Sequence, residues 1–148
     1  MKKTIILSLI LSLCIIFTGC GKKAPDTYDM GTDSFPSITY VVGDRTLESY
    51  EMDNEENPTQ KILVYSGSED GNTDIYEYMN YLIENCGGIV TRALENTEKG
   101  TSEIAMESKD SGKIISVNFD YTKDGYTVTI KKFDGKLNRA SNHSSKLN

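Results

Sequence analysis

The sequence predicts a small α+β domain in which one amphipathic helix packs on a mainly antiparallel sheet. Two observations support this fold class. Apolar residues recur at helical spacing from Ile75 to Cys86, which is the pattern of a helix with one buried stripe. From Ser102 to Ile130 apolar residues instead alternate with polar ones, and short turns separate the runs. This second pattern predicts neighbouring antiparallel strands.

The first twenty residues have the layout of an export signal. Two lysines precede a largely apolar run over residues 5–17, which as a helix would extend only about 20 Å. The hydrocarbon core of a bilayer is about 30 Å thick, so this run is short for a spanning helix. The tetrapeptide Phe17-Thr18-Gly19-Cys20 follows directly. It resembles the lipobox of bacterial lipoproteins, with Phe17 where that family usually has Leu.

The resemblance implies cleavage before Cys20 and a thioether-linked diacylglycerol on its sulfur. The protein would then be held at the extracytoplasmic face of the cell membrane, because two acyl chains give stable anchoring. The alternatives are an ordinary signal peptide and an uncleaved anchor helix.

The chain divides into four predicted segments. Residues 1–19 form the signal peptide, and residues 20–36 comprise the lipidated cysteine with a flexible tether, because residues 21–36 are rich in Gly, Pro, Asp and Thr and lack apolar periodicity. Residues 37–136 form the domain. Residues 137–148 have no pattern and are predicted to be a disordered tail.

Each element of the domain has its own local signal. The helix is predicted over residues 74–86, with Asp74 as N-cap, Glu77 completing a capping box and Gly87-Gly88 as the left-handed stop. Strand composition, period-two alternation and turn residues predict the strands. Before the helix they lie at residues 37–42, 46–52 and 61–65. After it, residues 89–133 are predicted to form a four-stranded β-meander whose apolar face is covered by the helix.

The net charge and the number of cysteines exclude some classes of function. Removal of residues 1–19 takes Lys2 and Lys3 from the 16 basic side chains and leaves 22 acidic ones, for a net charge of −8. This balance argues against binding to nucleic acid. Cys14 leaves with the signal and Cys20 is lipidated, so Cys86 has no internal disulfide partner.

Nucleophilic catalysis finds little support in the sequence. A reactive cysteine needs a depressed pKa, whereas Cys86 is predicted at the carboxyl end of its helix, where the dipole raises the thiol pKa. The single histidine, His143, is in the predicted tail. A buried structural thiol is therefore the favoured interpretation of Cys86, and we predict neither a catalytic set nor a cofactor.

Two acidic stretches invite a calcium interpretation. Residues 70–74 copy the opening of a calcium loop, but Ile75 and Tyr81 replace its required Gly and bidentate Glu. The acidic loop of residues 51–56 could bind calcium weakly. In both places a turn or a solvated loop is the favoured interpretation, and no metal site is predicted.

The polar face of the meander is the predicted interaction surface, although antiparallel sheets also leave one face solvated without any function. Its members, with one aromatic residue of the helix, are Tyr81, Glu103, Glu107, Asn118, Asp120, Thr127, Thr129 and Lys131.

Three functions remain open. The first is a non-catalytic module that is anchored to the membrane and binds an unidentified envelope protein or ligand. The second is an envelope hydrolase that uses carboxylates on wall or sugar polymers. The third is a structural or immunity-type lipoprotein.

Overall fold

The computed structural model describes residues 23–138, which form a broadly α+β fold as the sequence predicts. The elements in chain order are β1 (Thr27–Met30), β2 (Asp33–Pro36), α1 (Ile38–Val42), β3 (Thr46–Met52), β4 (Gln60–Ser66), α2 (Gly71–Cys86), β5 (Ile89–Arg92), β6 (Gly100–Glu107), β7 (Lys113–Tyr121) and β8 (Gly125–Asp134).

The main sheet has six strands in the order β3-β4-β8-β7-β6-β5, and every pair is antiparallel. Strands β5 to β8 are sequential neighbours, so the predicted meander is confirmed. Strands β3 and β4 join it as a hairpin beside β8. Strands β1 and β2 pair only with each other.

Helix α2 carries the predicted buried stripe. Ile75, Tyr78, Met79 and Leu82 are fully buried, and each such burial contributes about 1.5–3 kcal/mol. The ring of Tyr78 meets that of Phe119 on the sheet edge-to-face at 5.8 Å. One face of the sheet therefore packs against α2 in a single apolar core.

The predicted end of the helix is confirmed, but the predicted start is wrong. Gly87 is left-handed at φ 68°, and it caps α2 as expected. The N-cap is Asp70, whose side chain accepts from the backbone N–H of Asn72 at 3.1 Å, so Asp74 lies inside the first turn. Gly71 begins the helix because it packs against the β7–β8 turn, where a Cβ would lie 2.0 Å from the carbonyl oxygen of Thr122.

The strand predicted at residues 37–42 is a short helix, α1. The Ser37 hydroxyl caps it by accepting from the N–H of Tyr40 at 3.3 Å, and Gly43 ends it. Ile38 is fully buried in the core. The β-branched composition that predicted a strand is therefore outweighed by capping and by packing against α2.

The flexible tether predicted for residues 21–36 is also wrong over most of its length. Strands β1 and β2 form a hairpin whose Tyr28, Met30 and Phe35 side chains are buried in the core. The alternation of apolar residues in β1 and β2 is short and interrupted by aspartates, so the sequence of this segment resembles that of a linker. In the structure the hairpin is hydrogen-bonded to Lys132, which lies about a hundred residues later in the chain.

The ends of the chain are only partly covered. Residues 135–138 have no regular secondary structure. The predicted signal peptide, Cys20 and residues 139–148 lie outside the described residues.

Candidate functional site

The face of the main sheet opposite α2 carries most of the predicted interaction surface. We call this side of the sheet the open face. Alternation along each strand turns Glu103, Asn118 and Thr129 away from the core, and the strand register places them side by side on β6, β7 and β8. Both helices and the β1–β2 hairpin contribute to the one core on the other side. Among the described residues, no helix or strand covers the open face.

A second row runs parallel to the first. Asp120 on β7 pairs with Thr127 on β8, two residues along each strand from the first row. On the other side, Lys131 pairs with Ser116. The Ser116 hydroxyl donates to the Glu103 carboxylate at 2.8 Å, which orients that side chain. The structure thus brings together most of the predicted residues as one surface of hydroxyl, amide and charged groups.

Glu107 also belongs to the open face, because it is four residues from Glu103 on the same strand, and it is exposed at the end of β6 opposite Ile114. One predicted member lies elsewhere. Tyr81 is on α2, where it is half-buried and packs against the core, so the sheet separates it from the open face. The prediction that Tyr81 faces outward and shares this surface is wrong. Its ring reaches the core from the side of the helix stripe.

The open face is also more apolar than predicted. Ile62 and Val64 of β4 extend the two polar rows, opposite Thr129 and Thr127, and both are partly exposed. Phe133, at the other end of β8, is 45% exposed. The uninterrupted apolar run of β4 is the sequence signal for this, because successive side chains of a strand point to opposite faces, so some of these apolar residues must lie on the open face.

A groove of about 740 Å³ lies at one end of the open face. Asp120 and Thr127 line it together with Val64, Thr101 and the side chain of Lys99. The groove offers acceptors, hydroxyls and one cation around an apolar base. Such a mixture is suited to binding, since a few polar groups fix orientation while apolar contact supplies affinity.

Two carboxylates do converge in the structure, but on a lysine. Lys132 is 7% exposed. Its ammonium lies 2.8 Å from the Asp33 carboxylate and also contacts Asp110. Asp33 additionally accepts from the Ser108 hydroxyl at 2.6 Å and from the N–H of Lys109 at 2.7 Å. We call Lys132, Asp33 and Asp110 the lysine clasp, because they join the β1–β2 hairpin to the sheet.

Hydrogen bonding keeps the lysine clasp charged. Burial opposes the charge on Asp33, but the N–H of Lys109 and the ammonium of Lys132 hold the pKa of Asp33 below its ordinary value. Burial likewise opposes the charge on Lys132, and its bonds to Asp110 and Asp33 nonetheless raise its pKa. Both carboxylates are therefore engaged in holding the fold.

The residues that resemble a calcium loop serve as helix caps and ion-pair partners. Asp74 accepts two hydrogen bonds from the Arg45 guanidinium, at 2.8 and 2.7 Å, and one from the Ser68 hydroxyl at 2.6 Å. These bonds fix the first turn of α2 to the segment between α1 and β3. Asp70 accepts from the N–H of Asn72 and from the Thr73 hydroxyl. Within residues 23–138, no three acidic, cysteine or histidine side chains cluster as metal ligands.

The acidic loop between β3 and β4 is organised by Asp53. Its carboxylate accepts from the Thr59 hydroxyl at 2.5 Å and from the N–H groups of Thr59 and Gln60, both at 2.9 Å. These bonds lower the pKa of Asp53 to about 2. The carboxylate of Asp53 therefore joins the two ends of the loop and stabilises its conformation.

Cys86 lies at the carboxyl end of α2, half-buried against the core. Burial raises the pKa of its thiol, which is the opposite of what a nucleophile needs.

None of the protein families, characterised proteins and solved structures with which the chain was compared matches it. Over residues 23–138, the helices are too short or too polar to cross a bilayer.

Proposed function

We propose that this chain is a lipid-anchored module outside the cytoplasm, without catalytic activity of its own, that binds a partner through its open face. The observation that carries the proposal is the open face itself. Strands β6, β7 and β8 present rows of polar side chains next to Ile62 and Val64 of β4, a mixture typical of protein-binding surfaces. The acidic residues of this face are Glu103, Glu107 and Asp120, and they outnumber Lys131 and Lys99, so a partner with basic groups fits best.

The carboxylates support this choice over a hydrolase. Glycoside hydrolysis needs two carboxyl groups that flank a substrate. The converging pair in this fold, Asp33 and Asp110, flanks Lys132 instead. The open face, by contrast, is covered by neither helix nor strand among the described residues.

The anchor rests on the sequence. The signal ends in the lipobox-like tetrapeptide at Cys20, three residues before the described part of the chain begins. Cys20→Ala should therefore leave the precursor unprocessed or release the protein from membranes, as fractionation and intact mass would reveal. Unchanged processing and membrane retention would contradict the anchor.

Site-specific photocrosslinking in living cells tests the open face. A photoreactive side chain at Thr129 should capture one discrete partner. The same group at Tyr76, which is exposed on the outer side of α2, serves as the matched control and should not capture it. Asn118→Arg should abolish the capture from position 129.

Two outcomes would overturn the binding proposal. One is capture of the same partner from position 76 but not from position 129. The other is turnover of a wall-derived polymer by the purified protein, with loss of that turnover in an open-face carboxylate variant such as Asp120→Asn.

A further inference from the structure

A crevice of about 280 Å³ lies where the chain enters the fold, between β1 and the β3–β4 hairpin. Tyr28, Leu47 and Leu63 form its apolar lining, and all three belong to the core. Lys23, Tyr50 and Lys61 also line the crevice.

The side chain of Lys61 is largely buried, and its ammonium reaches the crevice without a counterion among the described residues. The residue is 8% exposed, yet no carboxylate of residues 23–138 lies within ion-pairing distance of its ammonium. The ammonium lies 5.8 Å from the ring centroid of Tyr50. A cation–π contact leaves the three hydrogen-bond donors of the ammonium available to water or to an anion. An anion in the crevice would supply the missing partner.

The position of the crevice identifies that anion's source. Pro25 and Asp26 are fixed to α1, because the Thr39 hydroxyl donates to the Pro25 carbonyl at 3.3 Å and the Ser37 N–H donates to the Asp26 carbonyl at 3.0 Å. Cys20 is five residues before Pro25, so at most about 18 Å of chain separates them. A lipid on Cys20 would therefore hold the crevice at the membrane surface.

The surroundings of the crevice suit a headgroup layer. Tyr40, on α1 beside the fixed Pro25, is 64% exposed, and Tyr50 is exposed at the rim. Tyrosines of this kind are enriched at membrane interfaces, where one end of the ring is apolar and the other is hydrated. Among the described residues, the crevice lining contains two lysines and a single carboxylate, that of Asp29.

We infer that this crevice binds the headgroup phosphate of an anionic phospholipid, with Lys61 as the charged partner, and so seats the domain on the membrane. The inference rests on the lipid anchor proposed above. A lipid anchor alone leaves the orientation of the domain free, whereas binding in the crevice would hold the domain with β3 toward the bilayer.

Hydrogen exchange on the lipidated, full-length protein in vesicles tests this inference. In vesicles that mix phosphatidylcholine with phosphatidylglycerol, exchange in β1 and β3 should be about fivefold slower than in pure phosphatidylcholine, the factor expected for one lysine at an anionic surface. Lys61→Met, which keeps the apolar stem, should remove this difference. Lys61→Arg should retain it, and Lys131→Met on the open face is the matched control that should also retain it.

Each remaining outcome contradicts the inference. If inorganic phosphate added to neutral vesicles slows exchange equally, the crevice binds a free anion and the lipid is not its ligand. If the protein stays on both vesicle types with no Lys61-dependent difference, the crevice inference fails and the anchor stands. If the protein leaves the vesicles altogether, the anchor fails and the seating on the membrane fails with it.

Discussion

Lys61 and Lys132 lie on adjacent strands of the sheet, β4 and β8, and both point to its covered face. They are almost equally buried, at 8% and 7% exposure. Lys132 is surrounded by two carboxylates, a hydroxyl and a carbonyl oxygen, whereas among the described residues Lys61 has only the ring of Tyr50. One lysine thus links two parts of the fold, and the ammonium of the other is open to the crevice.

The two lysines differ in what their charge does: one stabilises the fold through ion pairs, and the other is available for binding. A buried ion pair that loses one member is strongly destabilised, because the remaining charge has neither water nor a partner. An ammonium that reaches a crevice without an ion pair makes no such contribution to the fold, and it is available to a ligand. The two lysines should therefore respond in opposite ways to the same substitution.

The largest effect is expected for Lys132→Met. Asp33 and Asp110 would then face each other without a cation, and the free energy of unfolding should fall by about 3–5 kcal/mol. Urea denaturation measures this change. The neighbouring Lys131→Met, at an exposed position, is the control and should change stability by less than about 0.5 kcal/mol. Equal effects of the two substitutions would contradict the lysine clasp.

A smaller loss is expected for Asp33→Ala. This change removes the acceptor of three hydrogen bonds, from Ser108, Lys109 and Lys132, and should cost about 2–3 kcal/mol. Lys132 keeps Asp110 as a partner, which is why the loss is smaller than for Lys132→Met. The N-terminal hairpin should become susceptible to limited proteolysis first. Protection of the hairpin in this variant would show that apolar packing alone holds it.

The contribution of Asp33 to the pH dependence of stability should have opposite signs in the wild type and in Lys132→Met. In the wild type the pKa values of Asp33 and Asp110 are lowered, so their contribution is complete above the unfolded value of about 3.9 and is lost below it. In Lys132→Met the buried Asp33 lacks its cation, and its pKa should rise above the unfolded value.

Acidification from pH 7 towards pH 4 should therefore raise the stability of Lys132→Met relative to the wild type. Because the other acidic groups are common to both proteins, the difference between their denaturation midpoints isolates the lysine clasp. A difference that is constant across this pH range would show that Lys132 does not set the pKa of Asp33.

The smallest effect on stability is expected for Lys61→Met. Since no ion pair is broken, replacement of the ammonium by an apolar group of similar length should be neutral or stabilising by about 1 kcal/mol. Thermal denaturation compared with Lys132→Met provides the measurement. A loss comparable to that of Lys132→Met would mean that Lys61 has a structural partner, and the inference about the crevice would lose its basis.

The elements that the sequence predicted well are those whose signal is local. Helix α2 and the meander record their buried face in the spacing of apolar residues, and that spacing requires no knowledge of distant contacts. Most of the open face followed from the same alternation. Tyr81 was wrongly predicted to face outward, because a residue beside the buried stripe of a helix can still reach the core with a long side chain.

The elements that the sequence misjudged depend on partners far along the chain. Asp33 in the hairpin requires Lys132, and Asp74 requires Arg45, so neither aspartate shows its role in its own neighbourhood. Nothing in its local sequence showed that the side chain of Lys61 would be largely buried beside a crevice, without an ion pair in the described part of the chain. Such pairings, and such missing pairings, exist only after the sheet has formed.

By itself the sequence determined the fold class, the period of each main element and the resemblance at Cys20 on which the proposed anchor rests. Local backbone geometry and residue spacing suffice for these features. The tertiary structure alone decided that residues 27–36 belong to the core, that Lys132 links the N-terminal hairpin to the sheet and that Lys61 lies in a crevice. Charge burial depends on which distant residues meet, and only the folded chain brings them together.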